Sequence, residues 1–328
     1  MALYDVPAPA KLNLFLHVVG RRADGYHLLQ TVFRFIDLND SLDFDARGDG
    51  RISCHNPGLT DPSDDLIVRA ARALQQAAAI KTGAHIVCRK TIPMGGGLGG
   101  GSSDAATTLI ALNRLWGAGL SRAELMRLGL SLGADVPVFV FGQSAFAQGV
   151  GEKLAAVELR ERAYIVAQPF RNVPTQAIFQ SPELTRNTAC VKIAVFSNWQ
   201  KSSGTDGVGG RGGNGGTDSG GDGTLGKGYG QGLALFGRND LEPVACAMYP
   251  EVGRLAGRFR ECGVVARMTG SGGCFFAEFV NMDQARTCLR EVTDTIPSHS
   301  EGGEAPVIKR SWLCQGLTEH PLRHWISS

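Results

Sequence analysis

The chain has 328 residues, of which 43% are hydrophobic and 20% are charged. This length is typical of about two ordinary domains, and the apolar share can bury a core, which excludes a wholly disordered protein. The formal net charge is only +2, so no excess of positive charge drives nonspecific binding to nucleic acid or to a membrane surface. We therefore expect neither nucleic acid nor a membrane as a partner.

The cysteine pattern and the N-terminal sequence both indicate a cytoplasmic protein. The eight cysteines include no C-x-x-C pair, so buried reduced thiols are favoured over a disulfide framework or a structural zinc site. The first residues lack a basic start and are interrupted by Pro7 and Pro9, which is atypical of a signal peptide. The longest uncharged stretch, 136–151, is too short and too polar to span a bilayer.

The first predicted element is a β-hairpin. Side chains from Lys11 to Val19 alternate between two faces, one of them carrying Lys11, Asn13 and His17. A period of two residues predicts a strand with those three polar groups on the same side. A turn containing Asp-Gly follows, and the apolar stretch 28–38 predicts the second strand.

Three helices and two strands are predicted farther along the chain from apolar spacing and capping signals. Helices are expected over 63–79, over 104–116 after a glycine loop, and over 121–133, which opens with a Ser-x-x-Glu capping box. Short strands are expected over 84–90 and 274–279, the second directly after another glycine cluster.

A glycine-rich stretch interrupts the second half of the chain. Residues 203–232 contain 15 of the 44 glycines and almost no apolar side chains, so they cannot offset the entropy of becoming ordered. An RNA-binding Arg-Gly segment is the alternative, but Arg211 is its only arginine and Tyr229 its only aromatic residue. We interpret the stretch as a flexible insertion between ordered elements.

An earlier run of glycines carries the clearest chemical signal. Six of the seven residues from Gly95 to Gly101 are glycine, so backbone N–H groups can converge on an anion without obstruction by Cβ atoms. A helix beginning at Ser103 or Asp104 would add free N–H groups and the positive end of its dipole. The hydroxyls of Ser102 and Ser103 could bind phosphate oxygens or a magnesium ion.

The spacing separates this loop from two widespread phosphate-binding motifs. A Walker A motif ends in Gly-Lys-Ser/Thr, whereas the chain has Gly100-Gly101-Ser102. A dinucleotide motif requires a strand ending in an acid about 20 residues farther on, where a helix is predicted instead. We predict a phosphate loop of another type, with a capped helix after a flexible loop as the alternative. Its residues are Pro93, Met94, Gly95, Gly96, Gly97, Leu98, Gly99, Gly100, Gly101, Ser102 and Ser103.

The motif PMGGGLGGGSSDAA at 93–106 closely resembles the central phosphate-binding motif of the GHMP kinases. Further matches occur in the family's order along the chain. They are PAPAKLNLFLHVVGRRADGYHLLQT at 7–31, LGADVPVFV at 132–140, VPTQAIF at 173–179 and RMTGSGGCFFAEF at 267–279.

The resemblance implies an α/β (α+β) fold of two domains with the active site in the cleft between them. The domain over 1–160 would resemble ribosomal protein S5, and the domain over 161–328 would be a ferredoxin-like sandwich. The loop at 93–103 would then wrap the phosphates of ATP, and the cluster at 268–273 would close over the site. The glycine-rich insertion and the tail beyond Asp283 fit the family pattern poorly.

Two residues match the catalytic pair of the family. Asp135 matches the acid that takes the proton of the substrate hydroxyl, although an Asp two residues before a proline is also a common way to begin a helix. Lys11 matches its paired lysine, which would hold the carboxylate ionised and stabilise charge on the transferred phosphoryl group. Without the resemblance, Lys11 is equally well explained as a solvated residue at a sheet edge.

The opening segment is most similar to the branch of the family whose small-molecule substrate is a cytidine diphosphate-linked methylerythritol. Tyr26 and Phe179 match the residues that stack on the base, and His27 matches the residue that reads the cytosine edge. Asn13 and Thr175 match secondary substrate contacts. From the spacing alone, Tyr26 and His27 would be surface residues beside a turn, and Phe179 a core residue.

The resemblance also implies ATP as the co-substrate, together with Mg²⁺, whose protein ligands the sequence does not fix. Lys90, just before the loop, is a further candidate for facing ATP, while Asp65 stands where relatives often carry Asn near the adenosine. His320 and His324 have metal-ligand spacing, but Pro321 argues against a helix there. We predict that this tail lies on the surface.

Other functions remain compatible with the motifs. The chain could be a GHMP kinase of the homoserine or mevalonate type, or a noncatalytic nucleotide-binding module of similar build. A dinucleotide-dependent dehydrogenase fits least well. We expect the protein to be either a monomer or a homodimer.

Overall fold

The computed structural model describes residues 1–57, 65–202, 232–294 and 306–326. The strands of these ranges are β1 (Ala2–Arg21), β2 (His27–Arg47), β3 (Ile52–His55), β4 (Gly83–Arg89), β5 (Ala145–Gly149), β6 (Lys153–Ala156), β7 (Ala163–Pro169), β8 (Ala266–Met268), β9 (Phe275–Phe279) and β10 (Ile308–Leu317). The helices are α1 (Leu66–Ala77), α2 (Gly100–Leu115), α3 (Arg122–Leu132), α4 (Val136–Phe141), α5 (Thr175–Gln180), α6 (Ile193–Ser202), α7 (Glu242–Met248), α8 (Pro250–Glu261) and α9 (Met282–Asp294), followed by a 3₁₀ turn at Arg323–Trp325.

The strands form one mixed sheet whose main path is β3-β4-β2-β10-β7-β9-β8. Strand β1 pairs with β2, and β5 pairs with both β2 and β6. The last strand, β10, pairs with β2 through Gly316 and Leu317 and with β7 along most of its length. It therefore joins the strands of the N-terminal half to those of the C-terminal half, and the α/β character predicted from the sequence is confirmed.

Helix α2 is the element that anchors the glycine loop. Twelve of its 16 residues are buried, because its Ala, Thr and Leu side chains pack against α1, α4 and the face of β1 and β2. The helix begins at Gly100, four residues before the predicted start, because Gly99 turns the chain into it with a left-handed φ of +75°. Both serines of the loop motif therefore lie in the first turn of the helix.

Most other predicted elements are present with shifted ends. The β1–β2 hairpin is confirmed with longer strands, and α1 begins at Leu66 with Asp65 as its N-cap. The predicted capping box of α3 is formed by Ser121 and Glu124. The eight cysteines are free thiols, but only four of them are buried, and Cys190 is exposed.

The surface location predicted for the C-terminal tail is only partly correct: His324 is 79% exposed, but other parts of the tail are buried. Strand β10 lies inside the sheet, and His320 is only 1% exposed, with its ring edge-on to Phe35 and Phe139. Its Nδ1 accepts a backbone N–H two residues farther on, while His324 pairs with Glu319. The two histidines therefore form no shared metal site. The aromatic partners that bury the His320 ring come from β2 and α4, which are distant in sequence.

Two predictions about the organisation of the chain stay predictions. The predicted insertion at 203–232 lies outside the described residues except for Gly232, and the division into 1–160 and 161–328 stays a prediction. Among the helices of the described ranges, none is long and apolar enough to cross a membrane.

Candidate active site

A cavity of about 510 Å³ lies between residues of both halves of the chain. Strands β1 and β2, the glycine loop and the starts of α2 and α4 form one side, and α5 with the 268–273 segment forms the other. Most predicted site residues line it, namely Lys11, Asn13, Lys90, Pro93, Met94, Gly95, Gly96, Gly97, Leu98, Gly99, Gly100, Gly101, Ser102, Asp135, Thr175 and Phe179. Ser103, Tyr26 and His27 lie outside this wall.

Lys11 is a buried residue of β1, only 2% exposed, which removes the alternative of a solvated edge residue. Its ammonium donates to Asn13 Oδ1 at 2.5 Å and to the carbonyl oxygen of Gly97 at 3.0 Å. The same Nζ lies 3.3 Å from Asp135 Oδ2. Burial of an ammonium is costly unless partners replace water, and three oxygen partners do so here.

His17 does not share a face with Lys11 and Asn13, contrary to the prediction. The pairing of β1 with β2 is irregular between Asn13 and Leu16, and such a bulge changes which residues face a given side. Leu16 consequently lines the cavity, while the His17 ring packs against Phe15 with ring centroids 4.8 Å apart. Burial lowers the pKa of His17.

Asp135 occupies the position before the first turn of α4, as the Asp-Val-Pro spacing suggests, but its side chain makes no capping hydrogen bond. The carboxylate is 37% exposed and lies beside the Lys11 ammonium. A helix-capping hydrogen bond therefore does not explain why an aspartate occurs at this position. An acceptor oxygen that faces a cavity beside a fixed cation is suited to receive a proton from a bound hydroxyl.

The glycine loop is packed directly against the second glycine cluster. Gly97 has a φ of +81°, and a Cβ there would lie 2.0 Å from the carbonyl oxygen of Thr269 and 2.9 Å from the nitrogen of Gly272. Only glycine allows both the left-handed backbone and this approach. Thr269 also accepts the backbone N–H of Asn13 at 2.9 Å, so the second cluster contacts both the loop and β1.

The two serines of the loop motif differ in orientation. Ser102 lines the cavity, and a Cβ on Gly133 would lie 3.9 Å from its hydroxyl, which puts the start of α2 beside the segment that leads to Asp135. Ser103 is fully buried and donates its hydroxyl to the carbonyl oxygen of Pro9 at 2.7 Å. The prediction that the Ser103 hydroxyl faces a phosphate or a metal is therefore wrong, because β1 takes up that hydroxyl.

Lys90 belongs to a buried cluster under the loop. Its ammonium lies 2.5 Å from a carboxylate oxygen of Asp40 and 2.5 Å from one of Asp104. Burial acts to lower the pKa of Lys90, but these two carboxylates outweigh it and the pKa is raised. Burial, together with the charge of Asp40, raises the pKa of Asp104 to about 7 against the attraction of Lys90. Lys90 lines the cavity, but its charge is already neutralised.

The predicted base-binding residues are only partly brought together. Phe179 and His27 pack with ring centroids 4.9 Å apart and planes inclined by 32°, although only Phe179 lines the cavity. Tyr26 lies at the β1–β2 turn and is 64% exposed. Thr175 begins α5, and its hydroxyl is 2.7 Å from that of Ser271. Phe179 therefore lies in the cavity wall with the His27 ring packed against it, while Tyr26 is exposed to solvent.

Asp65, which stands where relatives often carry Asn near the adenosine, caps helix α1. It is 3% exposed, its carboxylate accepts the backbone N–H of Ile67 at 2.8 Å, and it accepts from the side chain of Asn56 at 3.1 Å. Leu66, the next residue, lines the cavity instead.

Sequence reasoning missed two residues that hold the site together. Asn239 is 3% exposed and donates to the carbonyl oxygens of Met268 and Gly270, each at 2.8 Å, which fixes the second glycine cluster. Asp40 accepts the backbone N–H groups of Thr91 and Ile92 just before the glycine loop. The return to globular composition near Asn239 was a weak signal for the first, while nothing local marked Asp40.

Comparisons with known proteins agree with this geometry. Residues 65–143 match the model of the GHMP kinases N terminal domain, and residues 227–297 match that of the GHMP kinases C terminal. A Bordetella parapertussis protein named 4-diphosphocytidyl-2-C-methyl-D-erythritol kinase is 55% identical, with 100% of both chains covered. A protein of that name from Dechloromonas aromatica is 47% identical over 96% of this chain and 98% of its own.

A solved structure gives the same assignment. The crystal structure of a 4-(cytidine 5'-diphospho)-2C-methyl-D-erythritol kinase matches with a TM-score of 0.70 and 29% identity, covering 96% of this chain and 99% of that one. The sequence identity extends over whole chains, and the glycine loop, Lys11 and Asp135 surround one cavity. Both observations indicate the same family. The chain belongs to the 4-diphosphocytidyl-2-C-methyl-D-erythritol kinases, a branch of the GHMP kinases.

Proposed function

We propose that the chain transfers the γ-phosphoryl group of ATP to the 2-hydroxyl of 4-diphosphocytidyl-2-C-methyl-D-erythritol, giving the 2-phosphate and ADP in non-mevalonate isoprenoid precursor synthesis. The observation that carries the proposal is the 3.3 Å approach of Lys11 Nζ to Asp135 Oδ2 in a cavity bounded by the glycine loop. The names of the relatives support this substrate.

Phosphoryl transfer depends mainly on positioning and on neutralising charge that spreads over the transferred group. In the proposed mechanism, the carboxylate of Asp135 accepts the proton of the 2-hydroxyl as its oxygen attacks the γ-phosphorus. Lys11 keeps its proton, orients the hydroxyl and stabilises negative charge on the equatorial oxygens. Its bonds to Asn13 Oδ1 and the Gly97 carbonyl hold the ammonium in place for that role.

The glycine loop is proposed to hold the phosphates of ATP through backbone N–H groups and the N-terminus of α2. The cytidine diphosphate end would then occupy the opposite part of the cavity, toward Thr175 and Phe179. This orientation brings the acceptor hydroxyl between the nucleotide phosphates and Asp135. A reversed orientation would separate the base from the only aromatic side chain of α5, Phe179.

The donor groups present suit Mg²⁺, which prefers one or two protein oxygens together with substrate phosphates and water. Ser102 lines the cavity and would hold the ion through its hydroxyl, which leaves the Asp135 carboxylate free to act as the base. The ion would neutralise charge on the phosphates. Within the described residues no cluster of three or more His, Cys, Asp or Glu side chains forms a metal site, in keeping with an ion carried largely by ATP.

The test is ADP release in a coupled assay with the purified protein, ATP and one alcohol at a time. We expect turnover with 4-diphosphocytidyl-2-C-methyl-D-erythritol and none above background with mevalonate or homoserine. Preferred turnover of either control alcohol would replace the proposed substrate. Tight ATP binding without turnover of any alcohol would instead favour a noncatalytic nucleotide-binding protein.

A further inference from the structure

A buried cluster of two carboxyl groups and one ammonium lies beneath the start of α2. Asp40 on β2 is fully buried, Asp104 in α2 is 2% exposed, and Lys90 follows β4. The Lys90 ammonium lies 2.5 Å from Oδ2 of each aspartate. The other oxygen of Asp40 accepts the backbone N–H groups of Thr91 and Ile92. One cation therefore serves two carboxyl groups, and the cluster carries one excess negative charge if both are ionised.

Asp104 shows how this excess charge is removed. Its Oδ1 is buried and has no hydrogen-bond partner among the described residues. Burial raises the pKa of Asp104, and the charge of Asp40 and a hydrogen bond with the Asp40 side chain raise it further, to about 7 against the attraction of Lys90. A hydrogen bond between two carboxyl groups requires a proton on one of them. Two acids placed in this way titrate as a pair that holds one proton.

The titratable groups that neighbour the cluster carry negative charge or none. The charges of Asp65 and Asp104 both act on the thiols of Cys54 and Cys88, which places these four groups in one region. Burial raises the pKa of both thiols, so they stay neutral. The Asp65 carboxylate caps α1 and supplies no proton donor. The proton shared by the two aspartates is therefore what makes the cluster neutral.

The cluster supports the part of the cavity where the glycine loop leads into α2. A Cβ on Gly100, the first residue of this helix, would lie 3.4 Å from Asp40 Oδ2. Lys90, Ile92 and Gly100 line the cavity. An additional negative charge here would oppose the positive end of the α2 dipole and would repel phosphate groups. Repulsion between two ionised carboxylates would also disturb Asp40, which holds the backbone just before the loop.

We propose that Asp104 is a positioning residue that holds one proton jointly with Asp40, and that loss of this proton weakens the binding of ATP. The inference rests on the proposed function, in which the glycine loop holds the ATP phosphates. With the proton in place, the cluster is neutral and Asp40 keeps its backbone partners. Because coupling between two binding events is reciprocal, bound ATP must hold this proton more tightly by the same factor.

The test is calorimetry with ATP and Mg²⁺ at pH 6, 7.5 and 9, in buffers of different ionisation enthalpy, so that proton uptake is measured together with the Kd. Asp104→Asn cannot ionise, and its amide can donate to Asp40 as the protonated acid does. Asp43→Asn is the matched control, because Asp43 lies on the same strand as Asp40 and pairs with Arg89, whose hydrogen bond lowers the pKa of Asp43. Infrared spectroscopy of the ligand-free protein detects the protonated carboxyl group, and thermal melting reports folding.

In the wild type we expect the Kd for ATP to rise about tenfold from pH 6 to pH 9, which corresponds to a change of about one pKa unit when ATP binds. Proton uptake should accompany binding at pH 7.5, and a protonated carboxyl band present at pH 6 should vanish by pH 9. Asp104→Asn should lose the band and the extra proton uptake, and its Kd should stay within about threefold of the wild-type value at pH 6. The difference between the two proteins removes the titration of ATP itself. Asp43→Asn should behave as the wild type.

A wild-type Kd that changes with pH no more than that of Asp104→Asn would overturn the inference. A merely structural role for Asp104 would weaken ATP binding equally at every pH, which also counts against it. If Asp104→Asn does not fold, the wild type decides, because the absence of either the proton uptake or the carboxyl band refutes the shared proton. If the wild type shows the pH-dependent affinity but phosphorylates none of the alcohols, the proposed function fails while the inference stands.

Discussion

Replacing Asp135 by Asn separates chemistry from folding, because the side chain keeps its shape and loses its charge and basicity. The Coulomb attraction to Lys11 at 3.3 Å is about 5 kcal/mol at an effective dielectric constant of 20. The carboxylate is 37% exposed, so solvent screening leaves a net effect on stability of about 1 kcal/mol or less. Lys11 would retain Asn13 Oδ1 and the Gly97 carbonyl as partners. Loss of a general base should lower kcat by about 10²–10⁴-fold.

The measurements are kcat from coupled ADP release, the Kd for ATP from calorimetry, and the melting temperature. We expect the Kd for ATP to change by less than about threefold, because the loop amides are not altered. Asp283→Asn is the control, since that carboxylate is 92% exposed on α9 and should leave all three values unchanged. A wild-type kcat in Asp135→Asn would refute the role of Asp135 as base. A loss of kcat that is fully explained by unfolding or by weaker ATP binding would refute the claim that Asp135 acts in the chemical step alone.

Three further substitutions test other parts of the site. Phe179→Ala should raise the KM for the cytidine-linked substrate about tenfold, since base–aromatic stacking is worth about 1–3 kcal/mol; an effect on the KM for ATP alone would reverse the proposed ends of the cavity. Gly97→Ala would place a Cβ 2.0 Å from the Thr269 carbonyl oxygen at a φ of +81°. Calorimetry should therefore show weaker ATP binding, and the melting temperature should fall. Wild-type values of both would contradict the close packing of the two glycine segments. Because burial raises the pKa of Asp104 from 3.8 to about 7, the folded state binds its proton more tightly, and the associated stability should be lost as pH rises from about 4 through 7. Asp104→Asn should remove that dependence in urea unfolding at pH 5 and pH 8, with Lys90 still paired to its other carboxylate, and an unchanged slope would assign the dependence to another group.

Local signals in the sequence were sufficient for much of the fold. The capping box of Ser121 and Glu124 predicted the start of α3 because both its hydrogen bonds lie within four residues. Alternation predicted β1, and the glycine run predicted the loop. These features depend on neighbours in the chain, which is why they can be read without the fold.

The errors occurred where distant segments decide the outcome. The face reached by His17 depends on an irregularity in pairing with β2, and the hydroxyl of Ser103 depends on Pro9, 94 positions away. The His320 ring is buried by aromatic side chains of β2 and α4. None of these partners is indicated by the residues nearby.

Lys11 shows that the catalytic role of a residue, like its burial, depends on partners that the local sequence does not indicate. From spacing alone, a solvated edge residue and a buried catalytic ammonium were equally good explanations, because alternation gives the face of a side chain and not its partners. The structure separates them through three oxygens from Asn13, Gly97 and Asp135. Two of these partners come from loops that reach β1 only in the folded chain. Gly97 itself is packed closely against Thr269 of the second glycine cluster, so the environment of this single ammonium is built from both halves of the chain.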